Sequence, residues 1–228
     1  MAKNVAVLLA GCGVYDGSEI HEAVFTLLSL NQQGIAYQCV APDRNQHHVI
    51  NHLNGEEQAQ QRNILEESAR IARGEVTPLD QAQIANYDAL VIPGGFGAAK
   101  NLNQWALSGP EGQIFDDVKT LIVAFAKAGK PIVGLCMGPT VIAKALADAN
   151  IKPELTVGSS QQSSPYDIKG IHQGMESIGM HTAEATLDEI LIDEQHKIIT
   201  APCYMMEGEI SAIYNNIAKA MQQLNKWL

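Results

Sequence analysis

Three short apolar runs, each leading into a glycine-containing turn, set the narrowest limit on how this chain folds: Val5 to Ala10, Ala89 to Ile92, and Ile132 to Leu135. None alternates apolar with polar residues. Each therefore reads as a strand buried on both faces, the pattern of a parallel sheet covered by helices on both sides. Ile35 to Ala41 reads as a fourth strand, stopped by Pro42. Between the strands, Ile20, Val24, Leu27 and Leu28 recur at helical spacing ahead of Gly34, with Asp16-Gly17-Ser18 as the predicted capping residues. Val118 to Ala128 predicts a helix that turns Leu121, Ile122 and Phe125 toward the core, and Thr140 to Ala147 predicts another.

Nearer the C-terminus, Ile190 to Ile192 and Ile198 to Thr200 flank a polar turn and read as a hairpin. A last helix places Ile210, Ile213, Tyr214, Ile217, Met221 and Leu224 on one stripe. Two polar stretches, Asp43 to Glu57 and Val157 to Gly174, read as surface insertions. The expectation is one doubly wound, mostly parallel α/β domain over residues 1–228, binding its ligand beyond the carboxyl ends of the strands.

Composition narrows the function classes. Apolar residues make up 46% and charged residues 18%, which points to an extensive interior and an oligomer surface. The net charge of −10, with no basic run, argues against a nucleic-acid partner. The four cysteines, at positions 12, 39, 136 and 203, share no zinc-type or paired spacing, so neither a metal site nor a disulfide framework is expected, and a reducing cytoplasm is. His47, His48 and His52 cluster in a polar loop without a Cys or Asp at ligand spacing and read as solvated. The apolar run Val5 to Ala10 has six residues, fewer than the roughly seven to fifteen of a signal peptide and far fewer than the roughly twenty of a membrane span.

The chemistry is sought where strands end. Gly134-Leu135-Cys136-Met137-Gly138 lies between a buried strand and an apolar helix, the context of a nucleophile elbow. The helix that follows directs its positive end at the sulfur, which is expected to favour thiolate at Cys136. Pro93-Gly94-Gly95-Phe96-Gly97 follows another buried strand, and the Gly95 N–H together with that of Met137 is a candidate oxyanion hole. Glu19 and Glu22 begin the first helix three residues apart; one of them meets Cys136, or both only complement the helix dipole. His172 and His181 follow Cys136 at the distance of a further βαβ unit and are the candidate histidines. Cys12 either lines the same pocket or packs in its glycine-rich turn.

The elbow at Cys136, Pro93-Gly94-Gly95 and an early helical glutamate together resemble the ThiJ/PfpI branch of the class I glutamine amidotransferase-like superfamily. The stretches Gly11 to Val24, Val49 to Leu53 and Pro93 to Leu102 further resemble the enhancing-lycopene-biosynthesis, or ElbB-type, glyoxalases. That resemblance implies a flavodoxin-like fold, a reactive Cys136, and Glu22 rather than Glu19 as the glutamate that contacts it. It also implies a homodimer and cofactor-free hydration of small 2-oxoaldehydes to 2-hydroxy acids through a cysteine hemithioacetal. The branch's downstream histidine has no clear match, and the His-Pro-Glu arrangement of glutamine-hydrolysing relatives is absent. Two rival readings use the same cysteine: a redox sensor or binding protein, and a cysteine hydrolase.

Overall fold

The computed structural model describes residues 3–228. In chain order the elements are β1 (Asn4–Leu8), α1 (Ile20–Gln32), β2 (Ala36–Ala41), α2 (Ile64–Ala72), β3 (Val76–Pro78), β4 (Ala89–Ile92), α3 (Trp105–Ser108), α4 (Asp116–Lys127), β5 (Ile132–Leu135) and α5 (Gly138–Ala147). They continue with β6 (Glu154–Leu155), α6 (Ile168–Ser177), β7 (His181–Thr182), β8 (Leu191–Asp193), β9 (Ile198–Ala201) and α7 (Ile210–Trp227). Seven strands form one sheet in the order β3-β2-β1-β4-β5-β9-β8, all parallel except β8, which runs antiparallel to β9 as the hairpin pattern requires. This is the mostly parallel, doubly wound α/β architecture that the apolar runs imply, in the flavodoxin-like form that the resemblance implies.

The three runs without alternation occupy neighbouring central strands, where Val5 to Leu8, Ala89 to Ile92, and Ile132 to Leu135 are buried throughout. Helices cover both faces. On α4, Leu121, Ile122 and Phe125 face inward as their spacing predicts. The strand order reverses between β1 and β4: the chain winds from β1 out to β3 on one side and from β4 to β9 on the other. The loops leaving β1 and β4 diverge there and open the crevice in which such sheets place their ligands. Those loops are tied together by Glu19 N–H donating to Gly94 O at 3.0 Å and Gly97 N–H donating to Gly17 O at 2.9 Å.

Local details depart from the sequence expectations. Glu19, not Asp16-Gly17-Ser18, caps α1, its carboxylate accepting from Glu22 N–H. Ser18 Oγ accepts from Ala10 N–H at 2.8 Å, and Asp16 accepts from Ile50 N–H at 2.7 Å, so both join separate chain segments. Of the four apolar residues that announce α1, three face outward: Ile20, Val24 and Leu28 are 43%, 42% and 42% exposed, while Leu27 packs partly against the core and Glu22, Ala23, Thr26 and Leu30 turn inward. The helical spacing is as predicted, and the helix presents its Glu22 side to the sheet.

The stretch from Val157 to Gly174 lies on the surface only in its middle, where Ser160 to Ser163 are exposed. Val157 and Ile168 are core residues, and α6 carries Met175 inward. The first polar stretch lies on the surface but is fastened by buried polar groups. Asn101 donates to Ala10 O at 2.8 Å and Asp16 O at 2.9 Å, and accepts from His47 N–H at 2.8 Å. Removing this side chain leaves two buried carbonyls unsatisfied, each worth roughly 1–3 kcal/mol, and frees the partly buried His47 N–H. Asn101→Ala is expected to lower unfolding free energy by about 3 kcal/mol in urea titrations and to speed hydrogen exchange at His47 and Ile50.

Candidate active site

Cys136 sits at the turn from β5 into α5 with φ at 54°, a left-handed conformation that a non-glycine residue adopts only when its surroundings hold it there. Its N–H donates to Ala201 O on β9 at 3.0 Å. The elbow's second glycine is demanded by close approach, because a Cβ on Gly138 would lie 2.6 Å from Ile92 O. The thiol therefore stands at the carboxyl edge of the sheet, 5% exposed.

Glu22 meets it from α1. The carboxylate is fully buried and accepts from Gly94 N–H at 2.9 Å and from Tyr204 N–H at 3.2 Å. Gly94 leaves the space in which cysteine and glutamate touch: a Cβ there would lie 2.4 Å from Cys136 Cβ and 2.7 Å from Glu22 Oε2. Three strand ends, those of β4, β5 and β9, thus converge with one helix on a single buried acid and a single thiol.

Burial dominates the electrostatics. It pushes the Glu22 carboxyl up to about 8, assisted by the nearby Glu19 carboxylate and opposed by the Tyr204 N–H, Cys136 and the Gly94 N–H. Burial, with Glu22 next, also holds the Cys136 thiol well above its usual range, against the contrary pull of the Gly95 and Met137 N–H groups directed at the sulfur. The expected low-pKa thiolate is thus corrected: desolvation and the neighbouring carboxylate outweigh the helix N-terminus. The N–H groups of Gly95 and Met137, expected as an oxyanion hole, both act on the cysteine sulfur itself.

The sulfur borders a cavity of about 180 Å³. Val14, Phe96, Trp105, Tyr166, Ile171, Tyr204 and Met205 wall it, and Glu19 contributes the acidic edge. Burial, and Cys136 after it, pushes the Tyr166 phenol up to about 12. Among the described residues no Lys, Arg or His lines the cavity. His172 is instead a buried residue of α6, where its Nε2 accepts from Val157 N–H at 3.3 Å and its Nδ1 lies 3.9 Å from Glu184. His181 is exposed on β7, beside Asp193 and His196. Neither candidate histidine reaches the thiol. Cys12 lies outside the cavity too; its polar surroundings are Glu67, Arg70 and Asp16.

Sequence reasoning missed Tyr166 and Tyr204. Tyr204 follows β9 by three residues, so the strand-end rule that found Cys136 also pointed there. Tyr166 lies in a Ser- and Gln-rich stretch with no periodic signal.

A family model described as the DJ-1/PfpI family matches residues 4–150. The chain belongs to the DJ-1/PfpI family. A human mitochondrial protein, glutamine amidotransferase-like class 1 domain-containing protein 3, is 39% identical over 98% of this chain and 82% of its own length. A rat mitochondrial ES1 protein homolog is likewise 39% identical, covering 97% and 82%. Among solved structures, an isoprenoid biosynthesis protein with an amidotransferase-like domain from Ehrlichia chaffeensis aligns with a TM-score of 0.88 and 33% identity over 99% of this chain and 100% of that one. The family includes glyoxalases and protease-like members.

These relatives overturn the expected cytoplasmic location, since the human and rat proteins are mitochondrial. Unpaired cysteines signal a reducing compartment without saying which one.

The two raised pKa values yield a prediction with a definite sign. Carboxymethylation of Cys136 should accelerate as pH rises through about 8, where the pair loses its first proton, and Glu22→Gln should abolish that step. Because the folded protein holds the Glu22 proton more tightly than the unfolded chain, stability should fall as pH rises from the ordinary carboxylate range through about 8. Thermal melts of the Glu22→Gln protein should lack that decline.

Proposed function

We propose that the protein is a cofactor-independent glyoxalase that converts glyoxal-type 2-oxoaldehydes into 2-hydroxy acids. The observation that carries this reading is Cys136, backed by the buried Glu22 and bordering a small, apolar cavity on whose walls no basic side chain stands among the described residues. A volume of about 180 Å³ suits a substrate of a few heavy atoms, well below the roughly 300–1,000 Å³ of pockets for drug-sized ligands. With no Lys or Arg to meet a fixed anion, the cavity selects uncharged molecules.

The attacking form of the pair carries one proton, with thiolate against carboxylic acid. Sulfur bonds to the aldehyde carbon, and Glu22 gives its proton to the resulting oxygen, leaving a hemithioacetal. As carboxylate, Glu22 then takes the hydrogen on that carbon and returns it to the neighbouring carbon. The product is a thioester of the 2-hydroxy acid. Water cleaves it, releasing the acid and restoring the pair with its single proton. The hydrogen moves within one molecule, so the overall change is addition of water and needs no external electron carrier.

Cys136→Ala should reduce formation of glycolate from glyoxal, followed by proton NMR, to the uncatalysed background. Turnover by that variant at the parent rate would rule the mechanism out. Glyoxylate, an aldehyde bearing a fixed carboxylate, should not compete with glyoxal in the same assay.

One observation favours a redox reading as the alternative. A protonated Glu22, together with the N–H groups of Gly95 and Met137, surrounds the sulfur with donors suited to the oxygens of an oxidised cysteine. Stoichiometric oxidation of Cys136 by dilute peroxide, with glyoxal turnover at background, would favour it. The hydrolase reading needed a histidine beside the thiol, and the arrangement of His172 and His181 does not support it.

We also propose that two copies pair across α1. Ile20, Val24 and Leu28 form an exposed apolar stripe beside Tyr37, which is 38% exposed, and water-facing stripes of this kind usually mark an association surface. Sedimentation should show a dimer for the parent and a monomer for Val24→Asp.

A further inference from the structure

Resting on the glyoxalase reading, one step has no assigned residue. As the hydrogen leaves the first carbon, the oxygen on the second must gain a proton, and later the hydroxyl on the first must lose one. A histidine is the usual carrier of such protons, and among the described residues none lines this cavity. Tyr204 does. Its ring lines the cavity that Cys136 borders, its N–H donates to Glu22 Oε1 at 3.2 Å, and its hydroxyl lies 2.8 Å from Nδ1 of the exposed His21. This single residue joins the buried acid, the cavity and a solvent-facing imidazole. His21 is itself fixed by stacking on Phe25, 5.9 Å between ring centres, and Phe25 meets Tyr214 of α7 edge-on.

We infer that Tyr204, oriented by His21, is the oxygen-side acid and base of the hydrogen shift. When Glu22 takes the hydrogen from the first carbon of the hemithioacetal, the Tyr204 hydroxyl gives its proton to the oxygen on the second, producing an enediol. When Glu22 returns the hydrogen to the second carbon, the phenolate takes the proton from the hydroxyl on the first, producing the thioester. Protons and electrons balance over the two half-steps, and Tyr204 ends as it began. His21 is a positioning residue. An Nδ1–H donated to the tyrosine oxygen steers the phenolic proton into the cavity and stabilises the phenolate while it exists.

Tyr166 is the competing candidate, because it lines the same cavity and senses Cys136. It lacks a partner of the kind that His21 is to Tyr204, and the proposal gives it no proton to carry.

The test compares the parent protein with Tyr204→Phe, Tyr166→Phe and His21→Ala, each measured for glyoxal turnover and for alkylation of Cys136 by iodoacetamide. Tyr204→Phe keeps the ring and the backbone N–H, so alkylation should stay within about twofold while kcat falls on the order of 100-fold, with KM little changed. His21→Ala should lose about tenfold in kcat and regain activity when imidazole is added to the buffer, a response that a purely structural role would not give. Tyr204→Phe with more than half the parent kcat, or a large loss confined to Tyr166→Phe, overturns the assignment of Tyr204 and leaves the glyoxalase reading standing. Failure of imidazole to restore His21→Ala overturns the role of His21. Absence of turnover in the parent overturns the glyoxalase reading and this inference together.

Discussion

The contact between the Glu22 carboxyl and the Cys136 thiol is the constraint around which the surrounding structure is arranged. A fully buried carboxyl is costly unless its oxygens are hydrogen-bonded, and the donors available come from two different strand ends, the Gly94 N–H after β4 and the Tyr204 N–H after β9. Satisfying the acid therefore fixes α1 against both loops at once. It also accounts for the inverted orientation of α1, which turns a glutamate and a threonine inward and leaves three large aliphatic side chains in water. The stripe left outside becomes available for association. A requirement of the site thus shapes the outer surface of the molecule.

The electrostatics of the pair reverse a familiar expectation. A cysteine at the start of a helix is ordinarily read as a stabilised thiolate. Here the helix dipole and two N–H groups compete with complete desolvation and a carboxylate in contact, and the last two prevail. The result is a proton reservoir in which neither partner ionises readily, and the first proton leaves near the upper end of the neutral range. Such a pair suits chemistry in which the sulfur attacks and a proton is then passed back and forth, since the acid that releases the nucleophile is already placed to serve the intermediate.

Legibility in the sequence followed burial. The apolar runs of β1, β4 and β5 reported themselves because strands covered on both faces need every residue apolar, and the Cys136 elbow reported itself because the turn excludes side chains on its flanks. Glu22 was legible through its place early in α1, though its pairing with Cys136 needed the resemblance to decide it. His172 and His181 misled because distance along the chain does not say on which side of a helix a residue will stand. The stretch from Val157 to Gly174 misled because its polar composition concealed Val157 and Ile168, two core anchors too far apart to show a period.

By itself, the sequence determined the doubly wound sheet, the cysteine at the strand-to-helix turn and the glycine loops opposite it, since backbone sterics and continuous apolar patterning are properties of local chain. Only the tertiary structure decided that no histidine among the described residues meets the thiol, that Tyr166 and Tyr204 wall the cavity, and that burial raises both titrating groups. Those outcomes depend on which strand ends come together at the switch point between β1 and β4. Desolvation and hydrogen bonding at that junction belong to no segment of the chain taken alone.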